Sequence, residues 1–234
     1  MKNKIIAIAV NAILCSIIVA TCVVGFVSGG AVEVSGEHDE PYYSATENPA
    51  GVSLMFNVYQ NTANVYKILD ILDEYGAKAT FFLGGSWADD NVDCTREIYA
   101  RGHEVGSHGY FHKDHSQMNY RQNIDEISPS VKLINAILNT NITLFAPPSG
   151  AFCDATLSAC STLNLKIIMW SRDTIDWRDS DAGLIYDRAT RNISSGEFVL
   201  MHPMDVTVTA LPNILSYITS NGLALVTVSQ NLGE

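Results

Sequence analysis

Beyond residue 50 the chain alternates between two hydrophobic periods. Short apolar runs of strand length stand at Gly51–Phe56, Lys78–Leu83, His103–Gly106, Thr143–Phe145, Lys166–Trp170, Glu197–Met201 and Leu223–Val228. Between them lie stretches with apolar residues at helical spacing. The first is Thr62–Tyr75, with Ile68, Leu69, Ile71 and Leu72 on one face and Gly76 as its stop. The others are Asp93–Ala100, Asn119–Leu138, Asp154–Leu163, Ala182–Ile193 and Thr207–Thr219. Asn119 followed three residues later by Gln122 has the form of a capping box. Regular alternation of strand and helix predicts parallel strands joined by right-handed crossovers, in an open doubly wound sheet or a barrel. The polar residues choose between these. Asn57, Ser107 and His108, the loop from Ala146, Ser171 to Asp173, and His202 each follow a strand. Only a barrel brings all of its strand ends to one mouth, so an α/β barrel of seven units is expected.

The first 30 residues follow another pattern. Lys2 and Lys4 precede an uncharged run from Ile5 to Val27, which as a helix would reach roughly 34 Å and cross a hydrocarbon core of about 30 Å. A secretory signal core is usually shorter, so a retained transmembrane signal-anchor is the expectation for residues 1–30. The small residues from Val27 to Ala31 would permit cleavage and secretion. No Lys or Arg occurs between Lys4 and Lys67, so the positive-inside rule puts the remainder outside the cytoplasm. Residues 31–50 are acidic and lack any lysine or arginine, as in a flexible linker. The working domain is then 51–229.

Composition narrows the function. With 47% hydrophobic and 17% charged residues the chain should fold, and a formal net charge of −11 disfavours nucleic acid as a partner. Cys15 and Cys22 fall in the apolar run, and Cys94, Cys153 and Cys160 form no C-x-x-C pair. Neither a disulfide framework nor a thiolate zinc site is indicated.

Candidate chemistry lies at the strand ends. His108 and His112 are four apart, a spacing that lets one helical turn chelate a divalent ion. The plainer alternative is two solvated loop histidines. Asp176 and His202 could form a carboxylate-held imidazole that donates a proton, or else a helix cap and a backbone-satisfied histidine. Trp177 could face a sugar or plug the barrel.

Taken in order, these segments resemble the polysaccharide deacetylases of carbohydrate esterase family 4, the NodB homology family. The resemblance covers Gly51 to about Ser229. Gly102–His112 is similar to the family's metal-binding histidine motif, Lys78–Phe82 to its second strand, and Ala146–Gly150 to its proline-rich loop. Asp173–Trp177 is similar to its aspartate-tryptophan motif and Leu200–His202 to its last. The resemblance implies a distorted seven-stranded (β/α) barrel and metal-dependent removal of N- or O-acetyl groups from cell-wall or related glycan. It places His108 and His112 on a divalent ion, zinc first and cobalt or nickel next, with His202 as general acid and Asp176 orienting it. Tyr110, Pro148, Ser149, Gly150, Trp177 and Leu200 are expected to contact the acetylated glycan, with Trp87 as a further aromatic surface.

The departures fall in two motifs. The family ends its first strand with Asp-Asp, a general base and a metal ligand, where this chain has Asn57 and Val58. The arginine that pairs with that base is replaced by Ala146. Asparagine cannot accept a proton near neutral pH, and Val58 cannot ligate. Two histidines fall short of the three protein ligands usual in catalytic zinc sites unless Asp173 or Asp114 reaches the ion. An ion that acidifies its own water would still allow hydrolysis, with Asn57 holding water or a substrate oxygen. Two readings follow: an extracytoplasmic deacetylase, expected first, and a catalytically impaired glycan-binding barrel as its alternative.

Overall fold

A computed structural model describes residues 40–234, so the apolar run at 5–27 and most of the linker lie outside the described residues. Seven parallel strands form one sheet: β1 (Ser53–Val58), β2 (Thr80–Leu83), β3 (Glu104–Ser107), β4 (Leu144–Phe145), β5 (Lys166–Ile167), β6 (Arg172–Asp173) and β7 (Phe198–Met201). Their order is β5-β4-β3-β2-β1-β7-β6, the circular order of a seven-stranded barrel opened between β5 and β6. The helices are α1 (Thr62–Glu74), α2 (Gly85–Asp90), α3 (Val92–Ala100), α4 (Tyr120–Leu138), α5 (Asp154–Thr162), α6 (Ala182–Thr190), α7 (Asp205–Ser220) and the single turn α8 (Val228–Asn231).

Strand alternation builds two apolar layers. Leu54, Phe56 and Val58 of β1 and Phe81 and Leu83 of β2 face outward, into a cluster with Val65, Ile68 and Leu72 of α1 and Ile214 of α7. Met55, Phe82, Leu144, Phe198 and Leu200 form a second cluster inside the sheet's curve. A Cβ on Gly106 would sit 2.7 Å from the Phe82 ring, so glycine there lets the interior close. The capping box at the start of α4 is present: Gln122 N–H donates to Asn119 Oδ1, and Asn119 N–H to Gln122 Oε1, both at 2.9 Å.

The strand count is as expected, but two members differ. Leu223–Val228 is not a strand. It contributes a bridge from Leu225 to Val52 and then turns into α8. α8 covers the amino ends of the strands, where Val228 N–H donates to Thr80 Oγ1 and Asn231 Nδ2 to the Gly51 carbonyl. The place of that strand is taken by Arg172–Asp173, which the pattern assigns to a loop. Two residues cannot display a period, and Arg172 is held by Glu197 at 2.8 Å rather than by apolar packing. β5 is also shorter than Lys166–Trp170. The helix Gly85–Asp90 escapes the pattern because it has only two turns' worth of residues and opens on glycine.

Residues 42–45, expected within the flexible linker, are bonded at the open seam. Tyr42 N–H donates to the Ile167 carbonyl, Met169 N–H to Tyr42, and Ala45 N–H to Gly196. Tyr42 and Ala45 thus join the β5 side to the β7 side. Gly196 allows this with φ +95°, and a Cβ there would lie 2.2 Å from the Ala45 carbonyl oxygen. Gly196→Ala is therefore expected to detach this strap and cost on the order of 2 kcal/mol. Hydrogen exchange at the Ala45 amide, with a urea unfolding curve, checks it: unchanged protection would mean that the seam tolerates the methyl.

Candidate functional site

The carboxyl ends of the strands line one cleft of about 330 Å³, bordered by Asn57, Tyr59, Gln60, His108, His112, Ser149, Trp170, Asp173, Trp177, Leu200 and His202. A larger groove of about 460 Å³ lies between α6 and α7, remote from every strand end that carries chemistry. The cleft is where the imidazoles expected to act together meet.

His108 follows β3 and is buried. Its Nδ1–H donates to the Ala146 carbonyl at 2.7 Å, which leaves Nε2 as a lone pair. Burial, and then the neighbouring His112, push its pKa down to about 3, so the ring is neutral at any ordinary pH. His112 lies edge-on to it with ring centroids 5.0 Å apart, and burial lowers its pKa as well. The loop between them is held from behind by Glu126 of α4, which accepts the Phe111 N–H at 2.5 Å. His112 itself is left-handed, at φ 55°. The Tyr59 ring covers His112 at 4.2 Å and stands 6.3 Å from His108.

Across the cleft, Asp176 is 2% exposed and accepts three hydrogen bonds. Oδ1 takes the His202 Nδ1–H at 2.8 Å, and Oδ2 takes the His202 N–H at 2.7 Å and the Thr207 hydroxyl at 2.5 Å. This anchors the ring with Nε2 left for the cleft. The turn that places Asp176 is strained: Ile175 has φ 56°, unfavourable for a β-branched residue, and its N–H is tied to Asp173 Oδ1 at 2.8 Å.

Asn57 ends the inward row of β1. It is 2% exposed, and its Oδ1 is buried without a hydrogen-bond partner. Val58, the next residue, is fully buried on the outward side among the helix-facing apolar residues. Ala146 is buried in the interior cluster.

The other expected contacts divide. Ser149, Trp177 and Leu200 line the cleft, and Trp177 is 53% exposed at its rim. Tyr110 does not line it: its ring packs on Gly85, and its hydroxyl donates to Asp89. Pro148 is buried beside Gly109, and Gly150 lies under Trp170, so both shape the loop rather than the surface. Trp87 is a core residue whose Nε1–H donates to Thr62. Tyr59 and Trp170 are cleft residues that the sequence reading missed. The position of Tyr59 immediately after the strand-end pair Asn57 and Val58 was the available signal.

The donor set does not complete a catalytic metal site. His108 and His112 offer two neutral imidazoles, but among the described residues no three His, Cys, Asp or Glu side chains are grouped to hold an ion. Asp114 caps the turn at His115, its Oδ1 accepting from the Ser116 N–H and hydroxyl, and it does not border the cleft. Asp173 borders the cleft, with Oδ1 occupied by Ile175.

Comparison with known proteins agrees with this geometry. The profile described as polysaccharide deacetylase matches residues 44–168. An uncharacterized protein, YlxY, from Bacillus subtilis is 31% identical over 87% of the chain and 64% of its own length, so this chain spans just under two thirds of that relative. A peptidoglycan-N-acetylglucosamine deacetylase of Bacillus cereus is 28% identical over 80% of the chain and 70% of its own. Among solved structures, a carbohydrate esterase family 4 pseudoenzyme from Bacillus anthracis superposes with a TM-score of 0.80 at 32% identity, covering 82% of this chain and 69% of that one. A mutant of that pseudoenzyme, described as having restored enzymatic activity, superposes equally well. With its strand-end histidines, its opened seven-stranded sheet and a profile match over more than half its length, the chain belongs to the polysaccharide deacetylase family.

Proposed function

We propose that this chain is a glycan-binding member of its family that holds cell-wall glycan in the strand-end cleft without hydrolysing it. The observation that carries the reading is Asn57. The position from which a general base would act holds a neutral amide, and its buried Oδ1 has no partner within the protein. Val58 adds to this, because the side chain next in line is packed into the outer apolar layer. The exposed ring of Trp177, with Tyr59 and Trp170 in the cleft wall, offers faces on which sugar rings pack. Peptidoglycan or another N-acetylglucosamine polymer is the ligand class, by analogy with what the Bacillus cereus relative is named for. The placement outside the cytoplasm belongs to the same proposal and rests on the apolar run at 5–27 and its flanking lysines.

A hydrolase reading keeps one specific support, the Asp176–His202 pair, which is built to give a proton to a departing amine as water adds to the acetyl carbon. The test supplies the full chain in detergent with N-acetylglucosamine oligomers and peptidoglycan, in turn with zinc, cobalt and nickel. Acetate and bound glycan are assayed together. Retention of glycan without acetate is expected. Acetate release that disappears in His108→Ala would replace the binder by the enzyme.

A further inference from the structure

The groove of about 460 Å³ between α6 and α7 serves none of the chemistry above. One wall is a stripe of α7. Thr209, Asn213, Ser216 and Ser220 are exposed at the spacing of a single helical face, while Ala210, Leu211, Ile214 and Leu215 are buried on the opposite one. The other wall is the start of α6, where Ala182 and Gly183 leave room. Between the walls, the rings of Tyr186 and Tyr217 meet edge to face, with centroids 5.9 Å apart and planes at 86°.

No Asp, Glu, Lys or Arg lines this groove. None occurs anywhere from Val206 to Gly233, although 17% of the chain is charged. The charges of α6 are engaged elsewhere: Arg188 with Asp179, Asp187 with Arg191, and Asp181 with the amides of Gly183 and Leu184. A phosphate or carboxylate ligand would find no cation here, and a metal ion no carboxylate. Serine and threonine are under-represented where protein partners bind tightly, and no Arg, Trp or large aliphatic side chain lines the groove to anchor one.

What the groove offers is mixed hydrogen bonding beside aromatic rings. Thr209 Oγ1 donates to the Asp205 carbonyl and Ser220 Oγ to the Tyr217 carbonyl, both at 3.0 Å, which leaves their lone pairs as acceptors. The Asn213 amide brings two N–H donors and a carbonyl, and each phenol both donates and accepts. A sugar matches this set, because each of its hydroxyls donates and accepts and its C–H face packs on an aromatic ring. From Thr209 to Ser220 the helix rises roughly 17 Å, the span of an oligosaccharide rather than of one sugar. We propose that this groove is a second glycan site, separate from the strand-end cleft, that holds an uncharged stretch of the sugar chain. It rests on the glycan-binding reading above and adds a second point of attachment, so that a polymer engaging both sites is held more tightly than by either alone.

The test titrates the full ¹⁵N-labelled chain in detergent with an N-acetylglucosamine trimer. The Asn213 side-chain amide reports the groove, and the Trp177 indole N–H reports the cleft. Both signals are expected to shift and saturate. Ser216→Glu places charge and bulk at an exposed groove position. It should weaken the binding seen at Asn213 at least about tenfold and leave that seen at Trp177 unchanged. A response at Trp177 alone would overturn the second site and leave the glycan-binding reading of the cleft standing. A response at Asn213 alone would support the groove and remove the cleft reading, and silence at both would sink both. An Asn213 response that survives Ser216→Glu would overturn the site by placing the sugar elsewhere. Asn213 shifts that follow protein concentration without sugar would overturn it too, by assigning the groove to contact between copies of the chain.

Discussion

Asp176→Ala is expected to cost on the order of 3 kcal/mol of stability and to release the His202 ring. The carboxylate is buried and accepts from two groups of His202 and from Thr207. Hydrogen bonds to a charged acceptor contribute about 1.5–3 kcal/mol each, and removing the acceptor leaves buried donors unpaired. The sum is less than three such terms, because the variant no longer desolvates a charge. Asp176→Asn should lose less, its oxygen in the Oδ2 place keeping the acceptor for the His202 N–H and the Thr207 hydroxyl, while its NH2 in the Oδ1 place meets His202 Nδ1 and favours the other ring tautomer. Urea unfolding gives the stability change, and ¹⁵N shifts of the His202 ring report the tautomer. A loss under about 1 kcal/mol, with the ring signal unmoved, would show that β7 and α7 position His202 without the carboxylate.

The second large effect is a gain. Replacing Asn57 and Val58 by aspartate together, with zinc, is expected to raise acetate release from N-acetylglucosamine oligomers by at least about 10²-fold, the contribution typical of a positioned general base. The two positions are not equivalent. Asn57 borders the cleft, so Asn57→Asp adds a carboxylate where solvent and His108 are near. Val58 is fully buried with Val65, Ile68 and Leu83 around the outer layer, so Val58→Asp alone should cost about 2–4 kcal/mol near neutral pH. The introduced carboxyl would have a folded pKa above its unfolded value. Its ionised form is therefore the disfavoured one, and the penalty disappears as pH falls below about 4, where both states carry the proton. Zinc should recover part of the loss only if the strand end can turn the new side chain toward His108 and His112. A folded double variant that binds zinc and releases no acetate would mean that the cleft no longer presents an acetyl group to the histidines.

Much of this was written in the chain itself. The alternation of period two and period three-to-four marked six of the seven strands and their parallel arrangement, because burying a sheet between helices demands that pattern. The strand-end positions of Asn57, His108 and His202 were legible for the same reason. A residue that follows an apolar run must lie where the strand leaves the sheet. The pairing of Asp176 with His202 was legible as chemistry and is present at 2.8 Å. Where runs were too short to show a period, pattern failed: Arg172–Asp173 became β6 through backbone pairing to β7, while the longer apolar run Leu223–Val228 did not enter the sheet.

What only the tertiary structure decided are the properties that depend on neighbours distant in sequence. Sequence could not tell that Tyr110 turns to Asp89 while Tyr59 covers His112, since both are tyrosines shortly after a strand and the choice lies in which loop packs beneath them. Nor could it tell that the Asn57 oxygen is stranded without a donor, or that Asp114 turns one carboxylate oxygen to Ser116 in its own turn. The sequence determined which residues stand at the mouth of the barrel, because local periodicity sets the strand ends. Folding determined which of their polar atoms remain free, because a hydrogen bond is satisfied by whatever the whole chain brings within about 3 Å.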